Sequence, residues 1–332
     1  MSTNDAIGRR RRRALLALVL GLALAPIVAE VVYRATRVAT LSPTTNPKYV
    51  VHDERLGWRY VPGARERHAS VEFDVEVAIN ARGFRGPEWP TEKRWKRVLV
   101  LGDSYAFGWG VPWESTFAAR VASAHPDWEV LDAAVSGYGT DQELLLAREL
   151  VPETTPDVVV VVFCANDLWE SSSDVAYGKS KPRFVEHDGH LELANVPVPN
   201  PWLERVSALW RAIEKSRWER AFQARPRDVE AEWRLVLALL RTLRDDLAHE
   251  RVDAAGGPAT RSVPLIVVSD EDRLAAFARD VRDVEHVDVR SALASSTEPT
   301  HFPVDGHWNA RGHELVARAL EDVLRRTWGT AR

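Results

Sequence analysis

The sequence predicts a three-layer α/β fold in which helices flank a central parallel β-sheet. Two observations predict the sheet. Short, uninterrupted apolar runs occupy 98–101, 158–163 and 264–268, and such runs are typical of strands that are covered on both faces. Helical segments, among them 116–124 and 142–150, lie between these runs. Because strands that alternate with helices form parallel sheets, we expect one sheet with helices on both sides.

A third observation predicts a transmembrane helix before this domain. Five consecutive arginines at 9–13 precede an apolar segment at 14–33 in which Glu30 is the one charged residue. A helix of about 20 residues is just long enough to cross the ~30 Å hydrocarbon core of a bilayer. Since clustered arginines stay in the cytoplasm, residues 1–13 are expected to be a cytoplasmic basic tail. The chain is then a single-pass protein of the cytoplasmic membrane, with its body on the periplasmic or extracellular side.

Two alternatives to an anchor remain open. Residues 23–25 (Ala-Leu-Ala) have the small-x-small form of a signal-peptide cleavage site. Pro26 would directly follow that cut, where proline is poorly accepted, so an uncleaved anchor is favoured. A buried helix of a soluble protein is the second alternative, and five preceding arginines argue against it.

The rest of the chain divides into a lead-in and a main domain. We predict a spacer and a β-rich lead-in over 34–96, with the spacer at 34–50. Residues 71–77 alternate apolar and acidic side chains, the pattern of a half-buried strand. The main domain is expected over 97–332, interrupted by a polar, Pro-rich insertion at about 171–227. This insertion either shapes a substrate cleft or is a solvated loop.

Composition excludes some classes of protein. The chain has 332 residues, 45% of them hydrophobic and 28% charged, as in globular proteins. Of 44 basic and 48 acidic side chains, residues 1–13 carry five arginines and one aspartate, so the remainder carries 39 and 47. An acidic body repels phosphate backbones, which excludes nucleic acid as an expected partner. Cys164 is the one cysteine, so no disulfide forms within the chain.

A candidate nucleophile follows the first apolar run. The segment 102–105 reads Gly-Asp-Ser-Tyr, so Ser104 lies just past the carboxyl end of a predicted strand. In open α/β sheets ligands bind at that edge. A serine hydroxyl is a weak nucleophile and needs a nearby base. Without such a base, Ser104 is an ordinary serine in a strand-exit turn.

A candidate base lies about 200 residues later, in the segment 305–309 (Asp-Gly-His-Trp-Asn). His307 has the pKa range suited to taking a proton from Ser104 near neutrality. Asp305, two residues before it, can hold the imidazole tautomer and stabilise the imidazolium. These three residues form a predicted Ser-His-Asp triad.

The other histidines near this segment are weaker candidates for the base. His301 and His313 flank the candidate, but neither has an aspartate two or three residues upstream. A metal site of His301, Asp305 and His307 lacks a further cluster of ligands and is disfavoured. We therefore expect neither a metal nor a cofactor.

Two further loops carry candidate donors for an oxyanion. Gly137 follows the predicted strand at 130–131, and its missing side chain lets a backbone N–H approach a substrate. Asn166 follows the strand at 158–163 and offers a side-chain amide. With the N–H of Ser104, these donors form a predicted oxyanion hole, each donor contributing about 3 kcal/mol.

Together these segments resemble the SGNH hydrolase superfamily, also called GDSL esterases and lipases. Its four signature residues match Ser104, Gly137, Asn166 and His307 in order, and the resemblance covers about 97–326. It implies a flavodoxin-like sandwich and a hydrolase that acts through an acyl-enzyme. The motifs at 80–86 and 108–112 are similar to those of bacterial membrane-anchored members.

The sequence departs from the family pattern at two positions. Cys164 stands where the third block usually begins with glycine, and Val304 stands three residues before His307, where the family usually has aspartate. The Asp-x-His spacing of Asp305 and His307 instead resembles that of exported carbohydrate O-acetyltransferases of the superfamily. The absence of Gly-x-Ser-x-Gly around Ser104 argues against an ordinary α/β-hydrolase.

The leading hypothesis is a serine esterase that hydrolyses acetyl or other short acyl esters. Location and resemblance together suggest cell-envelope carbohydrate as the alcohol. An O-acyltransferase that passes the same acyl group to a sugar hydroxyl is the first alternative. A non-catalytic envelope-binding protein on the same fold is the second, and the presence of all four signature residues argues against it.

Overall fold

The computed structural model describes residues 3–37, 49–187, 190–201, 206–224, 226–249 and 262–329. The spacer expected at 34–50 lies mostly outside these residues. The described chain forms two compact units, of which one contains 1–41 with 200–224 and the other contains 42–199 with 225–332.

The strands are β1 (Val50–Asp53), β2 (Gly57–Tyr60), β3 (Arg65–Ala69), β4 (Asp74–Ala78), β5 (Lys96–Gly102), β6 (Trp128–Asp132), β7 (Val158–Val162), β8 (Val175–Ala176), β9 (Lys179–Ser180), β10 (Arg183–His187), β11 (His190–Ala194), β12 (Leu265–Ser269) and β13 (Val284–Asp288). The helices are α1 (Thr3–Arg37), α2 (Ser104–Phe107), α3 (Phe117–Ala124), α4 (Thr140–Thr154), α5 (Asp167–Ser171), α6 (Ala208–Ala224), α7 (Val229–His249), α8 (Asp272–Asp280), α9 (Val289–Ala294) and α10 (Ala310–Gly329).

The smaller unit pairs α1 with α6. Within α1, the segment Arg12–Thr36 is apolar and long enough to cross a membrane, and its most apolar window is not buried. Near its end, the carboxylate of Glu30 accepts the hydroxyl of Ser207 at 2.7 Å and the backbone N–H groups of 208 and 209 at 2.8 and 3.0 Å. Glu30 thus caps the first turn of α6, whose N–H groups have no partner within the helix.

The central sheet of the larger unit has five parallel strands in the order β13-β12-β7-β5-β6. Numbered along the chain, this is the 2-1-3-4-5 order of flavodoxin-like folds, which confirms the predicted fold class. Gly102 at the end of β5 lies opposite Val162 of β7. Because the strand order reverses between β5 and β7, their carboxyl ends open the crevice where such folds bind ligands.

Helices cover the sheet in two groups. One group consists of α4, α5 and α7, and the other of α3, α9 and α10. The five valines of β7 are fully buried between these layers, and burial of such side chains contributes about 2 kcal/mol each. The apolar runs therefore became central strands because only a doubly covered sheet removes all of these side chains from water.

The lead-in forms two antiparallel hairpins, β1–β2 and β3–β4. Arg85, which follows them, is fully buried and donates to the carbonyl groups of Phe107, Gly108 and Val111 at 2.8, 2.6 and 2.6 Å. A buried guanidinium whose two terminal nitrogens donate to three carbonyl groups ties the lead-in to α2 and the loop after it.

Three local expectations need correction. The strand predicted at 71–77 begins only at Asp74, because the hydroxyl of Ser70 accepts the N–H groups of the next turn. The insertion at 171–227 is no plain loop, since it contains the strands β8 to β11 and helix α6. The segment 140–143 predicts a capping box, but α4 is capped one residue earlier, at Gly139, whose N–H reaches the side chain of Gln142.

Candidate active site

Ser104 lies in a sharp turn where β5 passes into the four-residue helix α2. Gly102 has φ of +153°, and a Cβ atom there would lie 2.6 Å from the Cβ of Ala106. Glycine is therefore required at this position. The side chain of Asp103 caps α2 by accepting the N–H of Tyr105 at 2.8 Å. The turn holds Ser104 at the exit of the sheet.

The structure brings Ser104 together with His307 and Asp305. Ser104 Oγ lies 2.7 Å from His307 Nε2, and His307 Nδ1 lies 2.5 Å from Asp305 Oδ1. Since the carboxylate accepts the Nδ1–H, Nε2 is left to accept the serine O–H. This is the arrangement in which an imidazole takes a proton from a serine that attacks.

The carboxylate of Asp305 is held in its charged form. Partial burial raises its pKa, but the hydrogen bonds and positive charge of His307, with a hydrogen bond from Trp109, outweigh burial and leave the pKa below its usual range. The side chains of His307 and Asp305 are 21% and 17% exposed. The pair is thus largely shielded from solvent but remains accessible to it.

The loop that carries Asp305 is fixed by contacts from elsewhere in the same unit. Gly306, with φ of +87°, reverses the chain so that the side chains on either side of it can meet. Glu72 of the lead-in accepts the N–H of Val304 at 2.9 Å and that of Asp305 at 2.7 Å. The hydroxyl of Tyr105 donates to the carbonyl of Gly306 at 3.1 Å.

Gly137 lies at the next strand exit, where side chains of the lead-in fix the loop. The hydroxyl of Tyr60 accepts the N–H of Ser136 at 2.7 Å, and the indole of Trp58 donates to the carbonyl of Ser136 at 3.2 Å. Gly137 has φ of +80°, and a Cβ atom there would lie 2.9 Å from the ring of Tyr177. Both conformation and space therefore require glycine.

The backbone N–H groups of Ser104 and Gly137 are not used by the fold. In the part of the chain that the structure describes, neither N–H has a backbone or side-chain acceptor. Backbone donors in this state at the mouth of a crevice are suited to bind a developing anion.

Asn166 lies beside the nucleophile, but its amide is engaged by carboxyl groups. Its Nδ2 donates to Asp103 Oδ2 at 2.9 Å and to Glu170 Oε2 at 3.0 Å. Asp103 Oδ2 in turn lies 3.5 Å from the hydroxyl oxygen of Ser104. Because an amide nitrogen carries two hydrogens, Asn166 donates to an oxyanion only when one of them leaves a carboxyl group.

A cluster of buried acids behind Asn166 has no counterpart in the sequence-based expectations. Asp103, Glu143, Asp167 and Glu170 are fully buried. Burial is the main cause that raises the pKa of each, and that of Glu170 rises to about 8. The sequence holds no signal for this cluster, because acidic residues on helices normally face water.

The remaining candidates have structural roles. Burial, with the neighbouring carboxyl groups, raises the pKa of the Cys164 thiol far above its usual range, which disfavours the thiolate form that a cysteine nucleophile needs. His313 is buried in α10, where its Nδ1 accepts the N–H of Phe117 at 3.2 Å and burial lowers its pKa to about 3. Among the residues that the structure describes, no three His, Cys, Asp or Glu side chains are grouped to hold a metal ion.

A known protein family matches the part of the chain that contains these residues. The model of the GDSL-like lipase/acylhydrolase family matches residues 100–315, about two thirds of the chain, and this stretch includes Ser104, Gly137, Asn166 and His307. The chain belongs to the GDSL-like lipase/acylhydrolase family. An arylesterase of Vibrio mimicus is 32% identical over 76 residues, which are 22% of this chain and 38% of that enzyme. The chain thus matches well under half of that relative's length.

Solved structures are similar at low sequence identity. A lipolytic protein of the G-D-S-L family from Veillonella parvula is 12% identical, with 70% of this chain and 99% of that chain covered and a TM-score of 0.40. The psychrotrophic esterase EstA from Pseudoalteromonas sp. gives the same values. The family assignment rests on the family model and not on these likenesses.

Proposed function

We propose that this GDSL-like hydrolase is a serine esterase in which Ser104 is the nucleophile, His307 the general base and Asp305 the residue that orients it. The observation that carries the proposal is the continuous hydrogen-bonded line from Ser104 Oγ through His307 to Asp305, with distances of 2.7 and 2.5 Å. Such a line activates a hydroxyl that is otherwise a weak nucleophile.

The reaction proceeds in two halves. Ser104 Oγ attacks the acyl carbonyl while its proton passes to Nε2 of His307, and the alcohol leaves with that proton. Water then gives a proton to His307 and attacks the acyl-enzyme, which releases the carboxylic acid and regenerates Ser104. Asp305, ionised because its pKa is lowered, stabilises the imidazolium in both halves.

The oxyanion of each tetrahedral intermediate is assigned to the N–H groups of Ser104 and Gly137 and to the amide of Asn166. The two backbone groups support this assignment because they lack acceptors among the described residues. Asn166 joins them when the hydrogen now given to Asp103 or Glu170 turns toward the new charge. Each such donor contributes about 3 kcal/mol to the transition state.

For the substrate we propose short acyl esters, acetyl above all, on cell-envelope carbohydrate. The support is the resemblance of the Asp305–His307 spacing to carbohydrate O-acetyltransferases and the expected position at the cell surface.

We further propose that residues 14–33 anchor the hydrolase in the membrane, with 97–332 as the catalytic domain. The N-terminal helix is apolar and unburied, as an anchor or a signal sequence requires. An intact N-terminus on the membrane-bound protein, measured by mass, distinguishes the two.

The test uses the full chain in detergent with p-nitrophenyl acetate. We expect Ser104→Ala to lower kcat by at least about 10³-fold and to abolish labelling by a fluorophosphonate. Ser216→Ala, on α6, is the matched control and should behave as wild type. Labelling that is equal in wild type and Ser104→Ala would instead indicate a non-catalytic binding protein. If added oligosaccharide is acylated faster than acetate is released, the enzyme is a transferase.

A further inference from the structure

Tyr177 stands at the tip of the β8–β9 hairpin, in the insertion whose role the sequence leaves open. It has φ of +54°, and the next residue, Gly178, has φ of +74°. Two-residue hairpin turns favour this left-handed conformation at both central positions, although it is unfavourable for a residue other than glycine, Asn or Asp. The turn thus fixes the backbone of Tyr177 at the tip of the hairpin.

The ring of Tyr177 contacts one candidate oxyanion donor directly. A Cβ atom on Gly137 would lie 2.9 and 3.0 Å from two ring carbons. The ring therefore packs against the Cα of Gly137 at van der Waals distance and limits how far this residue can move. On its other side the ring meets Trp169 edge-on, with 5.5 Å between centroids.

The hydroxyl of Tyr177 reaches the second candidate donor through one carboxyl group. It donates to Oε1 of Glu170, and Oε2 of the same group accepts the amide of Asn166 at 3.0 Å. Glu170 is fully buried, so no water competes for either oxygen. One side chain thus connects the two loops that follow β6 and β7.

A buried cation, Lys181, holds the β8–β9 hairpin that carries Tyr177. Lys181 is fully buried, forms an ion pair with Asp141 in the first turn of α4 and donates to the carbonyls of Glu170 and Ser173 at 2.9 and 3.2 Å. Breaking such a pair is strongly destabilising, because the remaining charge is left buried without a partner. The tip of the hairpin is therefore held against the loop that precedes α4 and against α5.

We propose that Tyr177 and Glu170 are positioning residues of the oxyanion hole, which fix Gly137 by ring contact and Asn166 by hydrogen bond. The proposal rests on the esterase function given above. In this proposal the first part of the insertion, 173–181, with its β8–β9 hairpin, helps to stabilise the transition state. Because the oxyanion exists only after attack, errors in this geometry lower kcat and leave KM nearly unchanged.

The experiment compares Tyr177→Phe, Glu170→Ala and Glu170→Gln in the full chain, with Ser104→Ala alongside. The first change keeps the ring and removes the hydroxyl, and glutamine keeps an acceptor for Asn166. With p-nitrophenyl acetate and active sites titrated by fluorophosphonate, we expect Tyr177→Phe and Glu170→Ala to lose about 10-fold in kcat per site, with KM within twofold. Glu170→Gln should recover most of that loss.

The controls separate this proposal from a purely structural role. Glu186→Gln, on the exposed end of β10, is the matched change and should leave kcat and KM unaltered. If Tyr177→Phe and Glu170→Ala lower only the number of titrated sites or the melting temperature, with kcat per site unchanged, the positioning role is wrong. If Ser104→Ala retains full activity, the proposed function fails, and the positioning role falls with it.

Discussion

At the scale of single residues, the structure shows how an Asp-x-His spacing brings the carboxylate of Asp305 to the imidazole of His307. The left-handed Gly306 between them turns the chain, so that Oδ1 and Nδ1 meet at 2.5 Å. The rings of Tyr105 and Trp109 lie beside the imidazole of His307, with 4.7 and 5.9 Å between ring centroids. The imidazole is thereby fixed in one tautomer and one orientation.

Replacing Asp305 tests this pairing. Asp305→Ala removes the acceptor for Nδ1–H, so the imidazole loses its fixed tautomer and the partner of its positive charge. We expect kcat for p-nitrophenyl acetate to fall on the order of 10³-fold with KM nearly unchanged. Asp280→Asn, an exposed change on α8, is the control. A loss of less than tenfold in Asp305→Ala would show that another group orients His307.

Site residues that lie in a short motif can be predicted from the sequence. Residues that reach the site only when distant segments pack together cannot. Ser104 and His307 are recognisable because each lies in a segment that a strand or helix boundary marks. Glu170 has no such mark, since in sequence it is one more acidic residue on a short helix. Tyr177 lies 40 positions from Gly137, and only the folded hairpin brings it there.

At the scale of elements, the β3–β4 hairpin of the lead-in acts on a distant loop. Glu72, at the turn of this hairpin, binds two successive N–H groups at 304 and 305 with its two carboxylate oxygens. Next to it, Phe73 packs on Phe302 with 5.3 Å between ring centroids. A carboxylate on adjacent amides is a strong, charge-assisted contact. The lead-in therefore fixes the loop that carries Asp305.

Glu72→Ala tests this element. The two N–H groups lose their acceptor, the loop gains freedom, and we expect kcat to fall about 10-fold while KM stays within twofold. Glu72→Gln keeps one acceptor oxygen and should lose less. The control is Glu76→Ala on the same hairpin, whose carboxylate pairs with Arg65 in solvent. Equal kinetics for Glu72→Ala and Glu76→Ala would contradict a role of the lead-in.

Helices and strands could be predicted from the sequence where a run of apolar residues or a helical periodicity marks them. The five strands of the central sheet include the three apolar runs, and the segments at 116–124 and 142–150 lie within or next to α3 and α4. The β8–β9 hairpin was not predictable, because strands of two residues have no periodicity to detect. It is held by the ion pair of Lys181 with Asp141, two residues that lie 40 positions apart in the chain.

At the scale of the whole molecule, the larger unit buries more carboxyl groups than its buried cations can neutralise. Lys181 pairs with Asp141, and Arg97 pairs with Glu129. Asp132, at the end of β6, is fully buried with only Oδ1 hydrogen-bonded, to the N–H of Ala134 at 3.0 Å. Burial raises the pKa of Asp132 to about 7, although that hydrogen bond and the charge of Arg85 oppose the rise.

This burial makes stability depend on pH in a definite direction. An unfolded aspartic acid loses its proton near 3.8, whereas folded Asp132 keeps it up to about 7. Between these values the folded state binds more protons than the unfolded state, so the free energy of unfolding decreases as pH rises. The buried carboxyl of Asp132 should therefore lower the free energy of unfolding by about 4 kcal/mol at pH 8, relative to a pH well below 3.8.

Asp132→Asn removes this titration and keeps an oxygen for the N–H of Ala134. We expect the variant to be less stable than or equal to wild type at pH 4.5, because its amide hydrogens are buried without acceptors. At pH 8 it should be the more stable protein, since wild type alone must bury a carboxylate. Urea unfolding at both pH values measures the difference, with the exposed change Asp127→Asn as control. A difference that is the same at both pH values would mean that Asp132 is already ionised in the fold at pH 4.5.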